Sequence, residues 1–441
     1  MIKPIKIMLV GIVASFLIVL IIVCSVLLIF DINDFKPKLS AAIKTTLGRD
    51  VKFTGQLKLT IFPELNLSTG AVVVANTKDF QNYFMSVDNI NLRLKLLPLL
   101  SRRMDVGMVT IQGLKLNLIT NQRGINNWVG RAPTASVGAV PSQNINMTAL
   151  LMAFTSQGIR IENATINWEN QQSGQQVEVS NIGFKTSVIA LNTPIISDFN
   201  MTVRDKKQQL ALSLNGQTTL TTNSGFRVFH LENNALHSII AGKVIPGKSL
   251  AFTLSSKDVL FDKTEHLLKA SDVQLKLAGI QITSDIMSRF TNKPATMTGH
   301  MRVITFNPSQ FMQQLAIPLP TRRDTKTLQQ MAAEFNFQAT DTAAAVNNLT
   351  MTLDNSRLTG SVAIKDYAKP TTLLRLRIDN LAVDGYLPAQ HIPEKSIDPA
   401  TILAGMPVET LRKLRISGRV VIDKLLVHGA HLQQVSLNLA H

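Results

Sequence analysis

The sequence predicts a mainly β chain behind one membrane-spanning helix. Three observations carry that prediction. Apolar and polar residues alternate with a period of two along most of the 441 residues, the pattern of strands with one oily and one wet face. A single uncharged run, Ile7 to Phe30, is long enough to cross a bilayer. Stretches with helical periodicity are few and short.

Composition narrows the function classes. Apolar residues make up 45% and charged residues 17%, so a large folded mass is expected. Aromatics reach only 5%, so the apolar surface is aliphatic. That suits a packed core or a surface for acyl chains, and argues against base-stacking platforms. The net charge of +16 favours anionic partners. The basic residues are dispersed, which argues against nucleic acid as the partner. Cys24 is the one cysteine, which excludes an intrachain disulfide and a Cys-pair zinc site.

The apolar run holds 24 residues and would measure about 36 Å as a helix. Lys3 and Lys6 precede it; Asp31 and Asp34 follow. It is too long for the apolar part of a signal peptide, and Ile29-Phe30-Asp31 offers no small-residue cleavage site. Ile-Ile-Val before Cys24 also lacks the small residue that lipoprotein processing wants. Residues 7–30 are therefore expected to be an uncleaved anchor, with residues 1–6 cytoplasmic and the rest exported. In a bacterium this is a single-pass inner-membrane protein with its bulk in the periplasm.

After the anchor, Phe35, Leu39, Ile43 and Leu47 recur at four-residue spacing and predict an amphipathic helix over Asp34–Leu47. Asp34 is its expected N-cap and Gly48 its stop. The helix would either lie at the membrane exit or cap the first sheet. From Val51 the strand period takes over: Phe53, Leu57, Leu59 and Ile61 share one parity, as do Ile90, Leu92, Leu94 and Leu96, and then Leu114, Leu116 and Leu118. "ATINW", "VQLKLAG", "LTMTLDNSRLTGSVAI", "TLLRLRIDNLAV", "LRISGRVVIDKLLV" and "LQQVSLNL" repeat the pattern, with Gly, Asn and Asp between runs as antiparallel hairpins need. Residues 131–143, rich in Pro, Ser, Ala and Gly, predict a loop. Short helices are expected at Met147–Thr155, Thr325–Ala333 and Pro399–Leu414. So many strands with so few helices leave two solutions: a sheet folded on itself, or an open trough whose oily face something else covers.

No constellation for covalent chemistry stands out. Gly242 to Ser249, "GKVIPGKS", fits the phosphate-loop spacing. That chemistry needs a following helix, whereas Leu250, Phe252 and Leu254 alternate as a strand, so Pro246-Gly247 predicts a turn. His428 and His431 are three apart and would point to opposite faces of a strand. Asp354, Asp379 and Asp384 flank strands as turn formers. Trp128 and Trp168, each after an asparagine, are expected to be core aromatics at strand ends. No cofactor, metal, nucleotide or enzyme activity is expected.

The anchor, "FDINDFKPKLSAAIKTTLGRDVKFTGQLKLTIFPELNLSTGAVVVAN", "NINLRLKLLPLLSRRMDVGMVTIQGLKLNLITNQRGINNW" and "ATINWENQQSGQQVEVSNIGF" resemble the AsmA family of inner-membrane-anchored periplasmic proteins. The likeness is closest over the first 170 residues and persists through "RIDNLAVDGYLP" to the end. The resemblance implies the open solution: a long, curved, taco-like antiparallel β-groove related to bridge-like lipid transfer proteins, conducting phospholipid between inner and outer membrane. Its chorein-like start would be residues 31–131, followed by a flexible loop at 132–146 and a continuing groove over 147–441. The family's further C-terminal β-rich part is expected to be missing after His441. The candidate groove lining is Val51, Phe53, Leu57, Leu59, Ile61, Ile90, Leu92, Leu94, Leu96, Leu114, Leu116 and Leu118. Expected partners are phospholipid, the inner membrane and envelope or outer-membrane proteins. The rival reading is a membrane-tethered scaffold or outer-membrane assembly factor with closed β-domains and no lipid path.

Overall fold

The computed structural model describes residues 32–60, 65–95, 105–128, 155–190, 193–223, 225–290, 295–388, 415–427 and 429–439. The expected anchor at 7–30, the loop at 131–143 and the expected helix at Pro399–Leu414 lie outside them, as does nearly all of the one expected at Met147–Thr155. Among the described residues no helix is long and apolar enough to cross a membrane. The described chain is mainly β and divides into two compact units, with the division at Ser180/Asn181.

The first unit opens with a 3-10 turn, Ile32–Phe35, and helix α1, Lys36–Leu47. Asp34 is not the cap. It lies inside the 3-10 turn, and the N-cap is Phe35 without a side-chain bond. Pro at the helix start supplies the fixed φ instead. Gly48 ends α1 as expected, left-handed at φ 67° with its N–H on the Lys44 carbonyl. Of the expected apolar stripe, Ile43 meets the sheet while Phe35 and Leu39 are exposed.

The strands of this unit are β1 (Val51–Phe53), β2 (Lys58–Thr60), β3 (Leu65–Ser68), β4 (Val72–Ala75), β5 (Tyr83–Val87), β6 (Asn89–Leu94), β7 (Asp105–Gln112), β8 (Lys115–Thr120), β9 (Thr155–Ser156) and β10 (Ile159–Asn170). β11 (Gln175–Thr186) runs across the division. The single strand expected from Phe53 onward is broken between β1 and β2. Thr54 and Gly55 both donate to the Ala71 carbonyl, and the Asn33 amide grips the Leu57 backbone through both its atoms. A Cβ on Gly55 would stand 2.2 Å from the Ala71 nitrogen, so only glycine allows this crossing. Two rows of strands result, β1-β4-β5-β8 and β2-β3-β6-β7. Both meet β10, which pairs in parallel with β7 through Ile159–Glu162 and with β8 through Thr165–Asn170.

In the second unit the strands are β12 (Ile195–Asp205), β13 (Leu210–Thr222), β14 (Val228–Gly242), β15 (Ser249–Asp262), β16 (Leu267–Leu277), β17 (Ile280–Arg289), β18 (Thr296–Phe306), β19 (Met331–Ala339), β20 (Ala343–Leu353), β21 (Ser356–Lys365), β22 (Thr371–Ala382), β23 (Ile416–Val427) and β24 (Ala430–Leu439). From β12 to β22 each strand pairs antiparallel with the next. β22–β23 is parallel and β23–β24 antiparallel again. The parallel step departs from the antiparallel expectation. It needs a crossover, which the chain between Val383 and Arg415 supplies. The outer edge of β24 pairs with no described strand, so the sheet is not closed there.

Bulges punctuate the strands. Asn181, Asn233, Asp272, Asn348 and Gln434 take left-handed φ in mid-strand, and the register slips beside Asn233, Asp272 and Asn348. Each slip bends its strand and raises the local twist. Two helix expectations change. Thr325–Ala333 is not helical: Met331 begins β19, and the turn before it is held by the Asp354 carboxylate, which accepts from Leu328, Gln329 and Gln330 N–H at 2.7–3.1 Å. A helix not foreseen, α2 (Pro308–Gln314), joins β18 to β19. Its signal was legible as Asn-Pro: the Asn307 side chain caps the Gln310 N–H at 2.9 Å, and Pro308 follows.

Candidate functional site

Cross-strand register assembles one continuous apolar face in the second unit. On β12, Phe199, Met201 and Val203 stand opposite Gly216, Leu214 and Leu212 of β13. Leu212 and Gly216 continue to Ile240 and Leu236 of β14, and these to Leu250 and Leu254 of β15. The row runs on through Leu275, Ile282, Val303 and Ala333 to Met351 of β20. Leu358, Ile378 and Ile422 carry it into β23. The bulges keep it in phase. In β14 the apolar positions switch from even numbers (Leu236, Ile240) to odd (Phe229, Leu231) across Asn233, and the row stays on one face.

The face is only partly covered. From β12 to β22 none of its apolar side chains is fully buried, and Leu254, Leu268, Met297 and Ile364 are 36–40% exposed. Eleven strands span about 50 Å at about 4.8 Å each. Phenylalanines level the surface over glycines. A Cβ on Gly216 would lie 2.4 Å from the Phe199 ring, and one on Gly299 would lie 2.5 Å from the Phe337 ring. At one end of the strands Phe229, Phe261 and Phe290 form a shelf, with ring centroids 6.2 and 5.7 Å apart, and the Lys263 ammonium stands 4.8 Å over Phe229. The opposite face is polar, with Arg302 bonded to Glu334 at 2.8 Å and His300 beside it. At β23–β24 the apolar face closes into a core of Ile422, Leu425 and Val427, which Val383 helps to cover.

The predicted lining residues of the first unit divide differently. Val51 and Leu57 are 6% and 2% exposed. Val51 is sealed with Val72 and Val74 beneath Ile43, Phe53, Phe84 and Met85. Phe53, Leu59, Ile90, Leu92, Leu94, Leu114, Leu116 and Leu118 are half-buried. Leu92 and Leu94 stand in register with Val109 and Val106, and Leu116 and Leu118 with Ile166 and Trp168. β10 brings both rows onto itself, switching parity at Asn163 with φ 56°. Ile61 and Leu96 lie outside the described residues. Packing around "GINNW" is also not as expected. Trp128 is 39% exposed, whereas Asn127 is fully buried, bonding the Ile119 N–H and the Asn117 carbonyl at 2.8 Å and accepting from Arg49.

"GKVIPGKS" is the turn between β14 and β15, with Lys248 exposed at φ 67°, and a strand follows it rather than a helix. His428 lies outside the described residues, and His431 is on β24. Among the described residues no group of His, Cys, Asp and Glu could hold a metal ion. Asp354 is more than a turn former. Burial pushes its carboxyl up, but the Tyr386 hydroxyl at 2.6 Å and the three backbone N–H groups outweigh that and hold it below the usual range. Tyr386, partly buried against that carboxylate, is pushed well above the usual phenol range.

The AsmA family model matches residues 1–440. The chain belongs to the AsmA family. No curated protein and no solved structure matches it. Membership in AsmA, together with an unclosed and mostly antiparallel sheet whose apolar face stays partly exposed, fits a groove-like protein.

Proposed function

We propose that the apolar face of β12–β22 carries phospholipid acyl chains, and that the protein is a membrane-anchored lipid-transfer protein of a bacterial envelope, moving phospholipid between the inner and outer membranes. The observation that supports this reading is the continuous, mostly aliphatic row across eleven strands with no apolar side chain in it fully buried. A diacyl lipid exposes about 30 methylenes, and hydrating them costs about 24 kcal/mol. A continuous aliphatic surface removes most of that barrier. The headgroup stays at the wet strand ends, where Lys243, Lys248 and Lys263 are exposed and can meet its phosphate. No group of the protein has to react, so the reading is of a conduit and not an enzyme. The expected anchor at 7–30 would hold it in the inner membrane, with the β-units in the periplasm.

A second reading, a tethered scaffold, is favoured by one observation in the first unit: Val51, Val72 and Val74 are plugged by the protein's own packing. A photo-crosslinking amino acid placed at Leu254 or at Thr253 in the full chain, within cells, separates the two readings. These neighbours on β15 face opposite sides of the sheet. Mass spectrometry should find phospholipid adducts at 254 and few at 253. Absence of adducts at 254, or equal yields at both positions, leaves the scaffold.

A further inference from the structure

On the polar face of β21–β23 three arginines stand together with a single carboxylate, Asp423, paired to one of them. The parallel register places Arg375 of β22 directly beside Arg419 of β23. Like charges in that position repel. Arg377, two residues along, takes Asp423 at 3.0 Å. Arg419 donates to the Ser436 hydroxyl at 3.1 Å, a neutral partner. Arg375 has no side-chain hydrogen bond or ion pair among the described residues.

The backbone is hollowed around them. Gly418 takes φ 145° and Gly360 takes φ 149°, and a Cβ on either would fall 1.8–2.0 Å from a carbonyl of β22. Beside Gly418 lies an open depression of about 400 Å3 lined by Thr359, Arg375, Arg377, Arg419, Leu376 and Val421. On the other side of Arg375 a second depression, about 500 Å3, is lined by Asn347, Asn348, Thr350, Thr359 and Ser361. Arg375 therefore stands between two hollows, with guanidinium forks on one side and hydroxyl and amide groups on the other. Paired guanidinium forks with a hydroxyl donor suit a tetrahedral oxyanion.

We propose that Arg375 and Arg419 form an anion site that takes a phosphate group from solvent on the face opposite the apolar one. A sheet is one layer thick, so a lipid lying on the apolar face cannot reach these arginines. The phosphate is either free or belongs to the headgroups of an anionic membrane surface lying against this face.

The test uses the full chain in neutral detergent at low salt. One arm titrates inorganic pyrophosphate by calorimetry. The other adds mixed micelles containing phosphatidylglycerol, with phosphatidylcholine micelles as reference. The proposal expects saturable binding in at least one arm, weakened at least tenfold in the Arg375→Gln/Arg419→Gln double variant and unchanged by Lys185→Ala, at an exposed lysine away from this face's arginines. Binding of pyrophosphate identifies a free phosphate ligand; response to phosphatidylglycerol alone identifies headgroups. Arg375→Lys keeps the charge but loses the fork, and should fall between wild type and Gln. Because the side chains are exposed and repel, the double variant should melt no lower than wild type. No binding in either arm, or equal binding by the double variant, overturns the site. Neither result bears on lipid at Leu254.

Discussion

Leu254→Asp puts a carboxylate in the middle of the apolar face, and the structure sets two separate magnitudes. Leu254 is 38% exposed, so the fold loses only the covered part of its apolar contact, about 1.5 kcal/mol. Acyl chains crossing that position would meet a charge that costs about 3 kcal/mol in a hydrocarbon setting, which is a fall in occupancy of about 100-fold. The assay pairs a photo-crosslinker at Ile282, which joins Leu254 through Leu275 along the same row, with thermal melting of the same protein. The expected result is a β-structured protein melting a few degrees lower, with phospholipid adducts at Ile282 nearly abolished. Two outcomes refute the reasoning. Unfolding would mean that Leu254 sits in a sealed core, and an undiminished adduct would mean that lipid does not use this face.

Other expectations follow from local geometry. Asp354→Ala should cost about 2 kcal/mol by stranding three N–H groups and the Tyr386 hydroxyl, read as a lowered melting temperature. Because the folded Asp354 carboxyl is held below its unfolded value of about 3.9, its stabilisation is complete above that pH and is lost as pH falls through the folded value. The raised Tyr386 phenol works in the opposite sense: its share is complete below about pH 10 and is lost as pH rises through its folded value. Acid melting of wild type should therefore steepen below about pH 4, and the Asp354→Ala variant should lack that component; identical acid profiles would show that the Asp354 carboxylate does not hold this turn. Gly216→Val should drive the Phe199 ring off its seat, 2.4 Å from the new Cβ, and destabilise by about 1–3 kcal/mol; an unchanged melting temperature would show that the ring is free to move. Lys248→Ala should leave stability and any measured nucleotide affinity unchanged, since its turn precedes a strand; a loss of ATP binding would restore the phosphate-loop reading.

Much of the second unit was legible in the sequence, because a period-two pattern needs no partner to be seen. Asn307-Pro308 carries the capping signal of α2, but a helix of seven residues between two strands is too short for its period to stand out, and it was not foreseen. Less legible were features that depend on residues far apart. Nothing local marks the break between β1 and β2, which the Asn33 amide and the Gly55 crossing impose from outside the strand. The turn before β19 looked helical until Asp354, 24 to 26 residues away, claimed its N–H groups. In "GINNW" the tryptophan is the conspicuous apolar residue, whereas the buried one is Asn127, whose two amide atoms match two backbone groups of one neighbouring segment.

The sequence by itself determined that this protein is a chain of strands with one oily side each, since alternation is a property of neighbours along the backbone. It could not decide whether those sides meet one another or stay partly bare. That depends on register and bulges: a left-handed Asn or Asp in mid-strand shifts the parity, so residues that look out of phase along the chain stand in one row across the sheet. Only the tertiary structure shows that the row from β12 to β22 is continuous and unsealed while Val51 in the first unit and Ile422 at β23 are closed over.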